Sequence, residues 1–80
     1  MAMISPPQSR AARALLNWSQ PRLAEASRVS VSTIRDFETG NRSPIANNLA
    51  AIRAALESAG VEFIAENGGG AGVRLGKLTR

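Results

Sequence analysis

Ser19-Gln-Pro-Arg-Leu-Ala-Glu-Ala-Ser-Arg-Val-Ser-Val-Ser-Thr-Ile-Arg-Asp-Phe-Glu-Thr-Gly40 is the stretch on which the fold turns. Ser19 suits an N-cap, because its hydroxyl can accept from an orphan backbone N–H of the first helical turn. Pro21 then falls in that first turn, where its missing donor costs little. Leu23 and Ala24 form the inward face of this short helix, and Arg22 and Glu25 the outward one. Ser30 repeats the capping signal for a following helix. Ile34 and Phe37, at i and i+3, form its apolar face. Gly40 closes it as a C-terminal glycine. Only Ala26-Ser-Arg-Val29 separates the two helices, so the turn between them is tight.

Upstream, Met1 to Pro7 contains two prolines and reads as an extended, mobile arm. Gln8 to about Asn17 favours helix by propensity, with Ala12, Leu15 and Leu16 able to share a face. Trp18 beside the helix end reads as packing at the edge of a core rather than as a stacking platform for a base. Downstream, Asn41 to Pro44 is a loop with Arg42 exposed. A further helix is expected from about Ile45 to Ala59, where Ile45, Leu49, Ile52 and Leu56 form an amphipathic stripe. Gly60 stops it. Val61-Glu-Phe-Ile64 and Val73-Arg-Leu-Gly76 alternate on either side of a glycine-rich turn, which predicts a β-hairpin. Such a hairpin is marginal by itself and must pack on the helices or on a second subunit. The expected divisions are an arm over 1–7, a helical domain over 8–60, the hairpin over 61–76 and a basic tail over 77–80. The fold class is mainly α, with four helices and a C-terminal hairpin.

Eighty residues allow one small domain, and 44% hydrophobic with 20% charged residues describes a globular chain. Ten basic residues, nine of them Arg, against six acids leave a net charge of +4, which suits a polyanionic partner. The sequence has no Cys, His or Tyr. Thiolate metal sites, the thiol nucleophile and the commonest general base are therefore missing, and the expectation is a protein that is not an enzyme and holds no metal or cofactor. The glycines of 68–72 match no phosphate-binding pattern, and no helix follows them. No apolar run approaches a membrane span and no signal peptide opens the chain, so the expected location is the cytoplasm.

Two short helices at so tight a turn make a helix-turn-helix, and the second is sized for the DNA major groove. Ser19-Gln20-x-x-Leu23-Ala24 followed by Val29-Ser30-x-Ser32-Thr33-Ile34-x-x-Phe37-Glu38-x-Gly40 resembles the XRE family, the lambda-repressor-like helix-turn-helix. The resemblance covers about Gln8 to Gly60 and extends to short members that end in a hairpin. It implies a DNA-binding transcriptional regulator, commonly a repressor that acts as a homodimer on a palindromic operator, with no small-molecule ligand.

Position by position, the resemblance carries Val31, Ser32 and Asp36 to the base edges. It carries Gln20 to a phosphate contact that also braces the recognition helix, and Thr33, Asn41 and Arg42 to the DNA backbone or flank. It makes Arg13 and Glu38 a structural ion pair. Helical geometry agrees for the reading head: with Ile34 and Phe37 inward, Val31, Ser32, Arg35 and Asp36 occupy the remaining surface. Arg22 is a further candidate backbone contact. Val31 can pack on a thymine methyl, Ser32 can donate or accept, and Arg35 can meet guanine or a phosphate. Asp36 can only accept, so it suits a cytosine amino group or else an intramolecular partner such as Arg35 or Arg42. Arg28 stands where the family usually has glycine in the turn, a position that costs a side chain roughly 1 kcal/mol. A rival reading uses the same fold as a protein-binding antiactivator or antitoxin, and another as a nonspecific architectural protein.

Overall fold

The computed structural model describes residues 3–65 and 68–76. Its elements are α1 (Pro6–Leu16), α2 (Gln20–Ser27), α3 (Val31–Glu38), α4 (Ala46–Ser58), β1 (Val61–Ile64) and β2 (Gly72–Leu75). The strands form an antiparallel hairpin in which Val61 faces Leu75 and Ile64 faces Gly72. This is the mainly helical, four-helix-plus-hairpin architecture expected from the sequence.

Local signals set the helix ends. The Ser19 side chain accepts from the Arg22 N–H, and the Ser30 side chain accepts from the Thr33 N–H. The residue before each cap and the residue four positions into each helix are apolar: Trp18 with Leu23, and Val29 with Ile34. All four belong to one core cluster, so each pair is placed to staple the entry angle of its helix. Asn17 closes α1 in the left-handed region at φ 60°. Gly40, at φ +80°, turns the chain after α3. The centre of the core is Ala12, Leu23, Ile34, Phe37, Ile52 and Leu56, with one or two residues from every helix.

The structure differs from expectation at three places. The chain is already helical at Pro6, so the arm does not extend to Pro7. Ser5 and Gln8 form a reciprocal capping box, both prolines fit the first turn, and Ile4 is buried in the core. Met1 and Ala2 lie outside the described residues, as does the tail at 77–80. Ile45 is 69% exposed and leaves the apolar stripe, because it caps α4 with an extended ψ of 156° rather than joining the helix. Leu15 faces outward beside Leu75, while Ala12 is fully buried and Leu16 packs half-buried against the core.

The hairpin is docked on the helices. The buried Gln8 side chain donates to the Gly72 and Ile64 carbonyls, at 3.0 and 3.4 Å. Gly76 N–H donates to the Gly60 carbonyl at 2.6 Å. The Arg53 guanidinium lies over the Phe63 ring at 5.2 Å.

The turn between α2 and α3 takes the left-handed conformation at Arg28, the position where glycine was expected. Arg28 sits at φ 61°, ψ 28°, and its N–H still closes α2 on the Ala24 carbonyl. A left-handed Arg stores strain that glycine does not. Arg28→Gly is therefore expected to raise thermal stability by up to about 1 kcal/mol, measured by chemical denaturation; an unchanged or lower midpoint would show the turn to be unstrained.

Candidate nucleic-acid interface

α3 divides cleanly into two faces. Ile34, Phe37 and Glu38 are buried, Val31, Ser32 and Arg35 are exposed, and Thr33 and Asp36 are half-buried. The four residues expected to read bases therefore share the outer side of one two-turn helix. At its start, Ser30 Oγ donates to Thr33 Oγ1 at 2.8 Å and lies 3.3 Å from Ser32 Oγ. Because Thr33 accepts from Ser30, its own hydroxyl hydrogen is left to point elsewhere, as a phosphate contact requires. At its end, the Asp36 carbonyl accepts from the N–H groups of Asn41, at 2.9 Å, and Arg42, at 3.3 Å. Those bonds fold the exposed Asn41 and Arg42 back against the last turn of α3.

What holds α3 in this orientation is Glu38. Its carboxylate is 1% exposed and accepts from Ser9 Oγ at 2.6 Å, from Gln20 Nε2 at 3.0 Å, and from the Arg13 guanidinium at 2.6 Å in the closest contact. Arg13 also donates to the Trp18 carbonyl at 3.1 Å, and Arg10 donates to the Glu38 carbonyl. One buried side chain thus binds α3 to both α1 and α2. Burial pushes the Glu38 carboxyl upward, but the hydrogen bonds from Arg13, Ser9 and Gln20 and the Arg13 charge outweigh it. The group is held below its usual value of 4.5. The expected Arg13–Glu38 pair is present. Ser9 and Arg10 were not anticipated, although Ser9 stands one helical turn before Arg13 on the same face. Gln20 braces the assembly through one of its two amide hydrogens, and the other remains.

The distribution of charge is equally specific. Glu25, Glu38, Glu57 and Glu62 each form an ion pair, with Arg22, Arg13, Arg53 and Arg74 respectively. Arg22 also lies over the Trp18 ring at 4.7 Å, so this candidate backbone contact already has two partners within the chain. Among the described residues, the charges without an ion pair are Arg10, Arg28, Arg35, Asp36 and Arg42, and Arg10 is spent on a carbonyl. The remaining four lie on α3 or on the turns entering and leaving it.

The helix-turn-helix family model matches residues 10–63, from within α1 into β1. The chain belongs to the XRE-type helix-turn-helix family. No curated protein matches it. As a helix-turn-helix regulator it binds DNA. Among the described residues, no helix is long and apolar enough to cross a membrane.

The tie at Glu38 generates a pH-dependent prediction. A carboxylate whose pKa is lowered by folding stabilises the protein in full above its unfolded value, and that contribution is lost as pH falls through the folded value. Glu38→Ala is expected to cost about 3–5 kcal/mol at neutral pH, since it strands a largely buried Arg13. The gap between wild type and the isosteric Glu38→Gln should narrow as pH drops below the usual carboxylate value. Urea melts across that range test this, and a gap independent of pH would remove the charge from the account.

Proposed function

We propose that this helix-turn-helix regulator is a sequence-specific dimeric repressor that acts in the cytoplasm. It inserts α3 into the major groove of palindromic operators, that of its own gene among them. The observation that carries this reading is that, Arg10 on α1 aside, the unpaired charges among the described residues lie on α3 and its two flanking turns, while every other described acid is paired with an arginine. Val31, Ser32, Arg35 and Asp36 form the base-reading set. Gln20, Arg22, Thr33, Asn41 and Arg42 position the backbone; Arg22 must give up its contact with Glu25 to do so.

Dimensions favour two copies side by side. The domain measures 32 × 31 × 20 Å, a size that lets two copies occupy half-sites about one DNA turn, roughly 34 Å, apart. The hairpin and α4 are the proposed contact surface. Leu75 and Leu15, 51% and 41% exposed, border an apolar groove with Leu16, Ala59 and Gly60 there. Sedimentation should find dimers at micromolar concentration, and a monomer at high micromolar concentration would refute this assembly.

The direct test is fluorescence anisotropy on the duplex upstream of the protein's own gene, against a shuffled duplex of equal composition, at near-physiological salt. Tight, selective and salt-sensitive binding is expected. Weak binding equal on both, independent of salt, would favour the rival in which α3 faces another protein, a reading supported by the acid at Asp36. Within the DNA reading, Arg42→Ala should weaken all sequences alike and flatten the salt slope by about one phosphate contact per protomer. A changed base preference would instead place Arg42 among the readers.

A further inference from the structure

Asp36 is the one acid among the described residues without an ion pair, and cations stand on both sides of it. Arg35 is its neighbour on α3, and the Arg42 backbone N–H donates to its carbonyl at 3.3 Å, yet neither guanidinium pairs with its carboxylate. The intramolecular partner that the sequence left open is therefore absent. On a face otherwise suited to a polyanion, a free carboxylate repels phosphate and lowers affinity for every duplex. Its compensating property is that a carboxylate accepts and never donates.

We propose that Arg35 and Asp36 act as a donor–acceptor couple that selects a G·C pair in the operator half-site and fixes which strand carries the cytosine. This inference rests on the DNA reading of α3 above. In the major groove guanine presents only acceptors, O6 and N7, whereas cytosine presents the N4 amino donor. Arg35 supplies donors alone and Asp36 acceptors alone. One orientation of the pair satisfies both side chains; the opposite orientation sets guanidinium against amino group and carboxylate against O6 and N7. Thymine facing Asp36 has nothing to donate; adenine facing it can donate from N6, but its thymine partner then offers Arg35 one acceptor, O4, where guanine offers two. Adjacent positions on a helix are separated by 1.5 Å of rise and about 100° of turn, and Arg35 and Asp36 both lie on the outer side of α3, so they face the same stretch of groove from neighbouring directions. Asp36 thus works by rejection as well as recognition: it weakens binding to unselected DNA and penalises the wrong base.

The test is parallel selection from a randomised duplex library with wild type, Asp36→Asn and Asp36→Ala, their folding verified by circular dichroism and melting temperature. Wild type should enrich a motif with a fixed G·C pair, and inverting that pair in the best duplex should weaken binding roughly 10- to 100-fold. Asp36→Ala should lose the preference and bind unselected duplex more tightly than wild type. Asp36→Asn should move the position toward adenine, whose N6 and N7 an amide can bridge. An identical motif from all three proteins overturns the couple while leaving the DNA reading intact. No enrichment by wild type overturns both.

Discussion

A buried carboxylate governs this fold. Removing Glu38 from water costs several kcal/mol unless its oxygens are satisfied, and here Ser9, Arg13 and Gln20 satisfy them from two other helices. Buried ion pairs contribute little net stability over apolar residues of similar volume. What this one contributes is orientation. α3 is only two turns long and holds the core mainly by Ile34 and Phe37, which alone specify loosely how the helix rolls about its axis. Each residue of roll is about 100°, enough to carry Arg35 out of the outer face. Directional bonds from fixed donors supply the angular precision that a small apolar contact lacks.

The same economy explains the surface. Four acids are consumed by four arginines, so among the described residues most of the unpaired charge gathers on α3 and its two flanking turns, with Arg10 of α1 outside that set. Arg28, Arg35 and Arg42 recur every seven residues through the turn, the helix and the following loop. A protein that coated DNA without regard to sequence would gain from spreading cations widely, because affinity scales with the phosphates neutralised. Leaving an unpaired acid, Asp36, beside Arg35 works against that general affinity, which is why the proposed reading puts the weight on base contacts.

The parts of this architecture that depend on near neighbours were legible in the sequence. Ser19, Ser30 and Gly40 act within one helical turn, and their positions bound α2 and α3 as expected. Arg13–Glu38 came from family resemblance and is present at 2.6 Å. Long-range bonds left no local trace: Ser9 reaches Glu38 across 29 residues, and Gln8 reaches Gly72 across 64. Pro6 and Pro7 misled because proline marks both extended arms and first helical turns; the decisive signal was the Ser5-x-x-Gln8 box that precedes the apolar face. Ile45 fits the stripe by spacing but lies one residue outside the helix, where spacing no longer determines direction.

α1 is the element that lets this small chain offer two independent surfaces. Ser9 and Arg13 point to α3, whereas Gln8, Ala11 and Leu15 border the hairpin. At 100° per residue these two sets are roughly 145° apart on the helix, so α1 stands between the hairpin and the reading head. A second copy seated against Leu15 and Leu75 therefore leaves Arg35 and Asp36 uncovered. The spacer is also stiff: Gln8 and Ser9, adjacent in sequence, are both buried and bonded in opposite directions. In the proposed dimer the way two hairpins meet would set the distance between the two copies of α3, which ties half-site spacing to the residues of the hairpin rather than to those of α3.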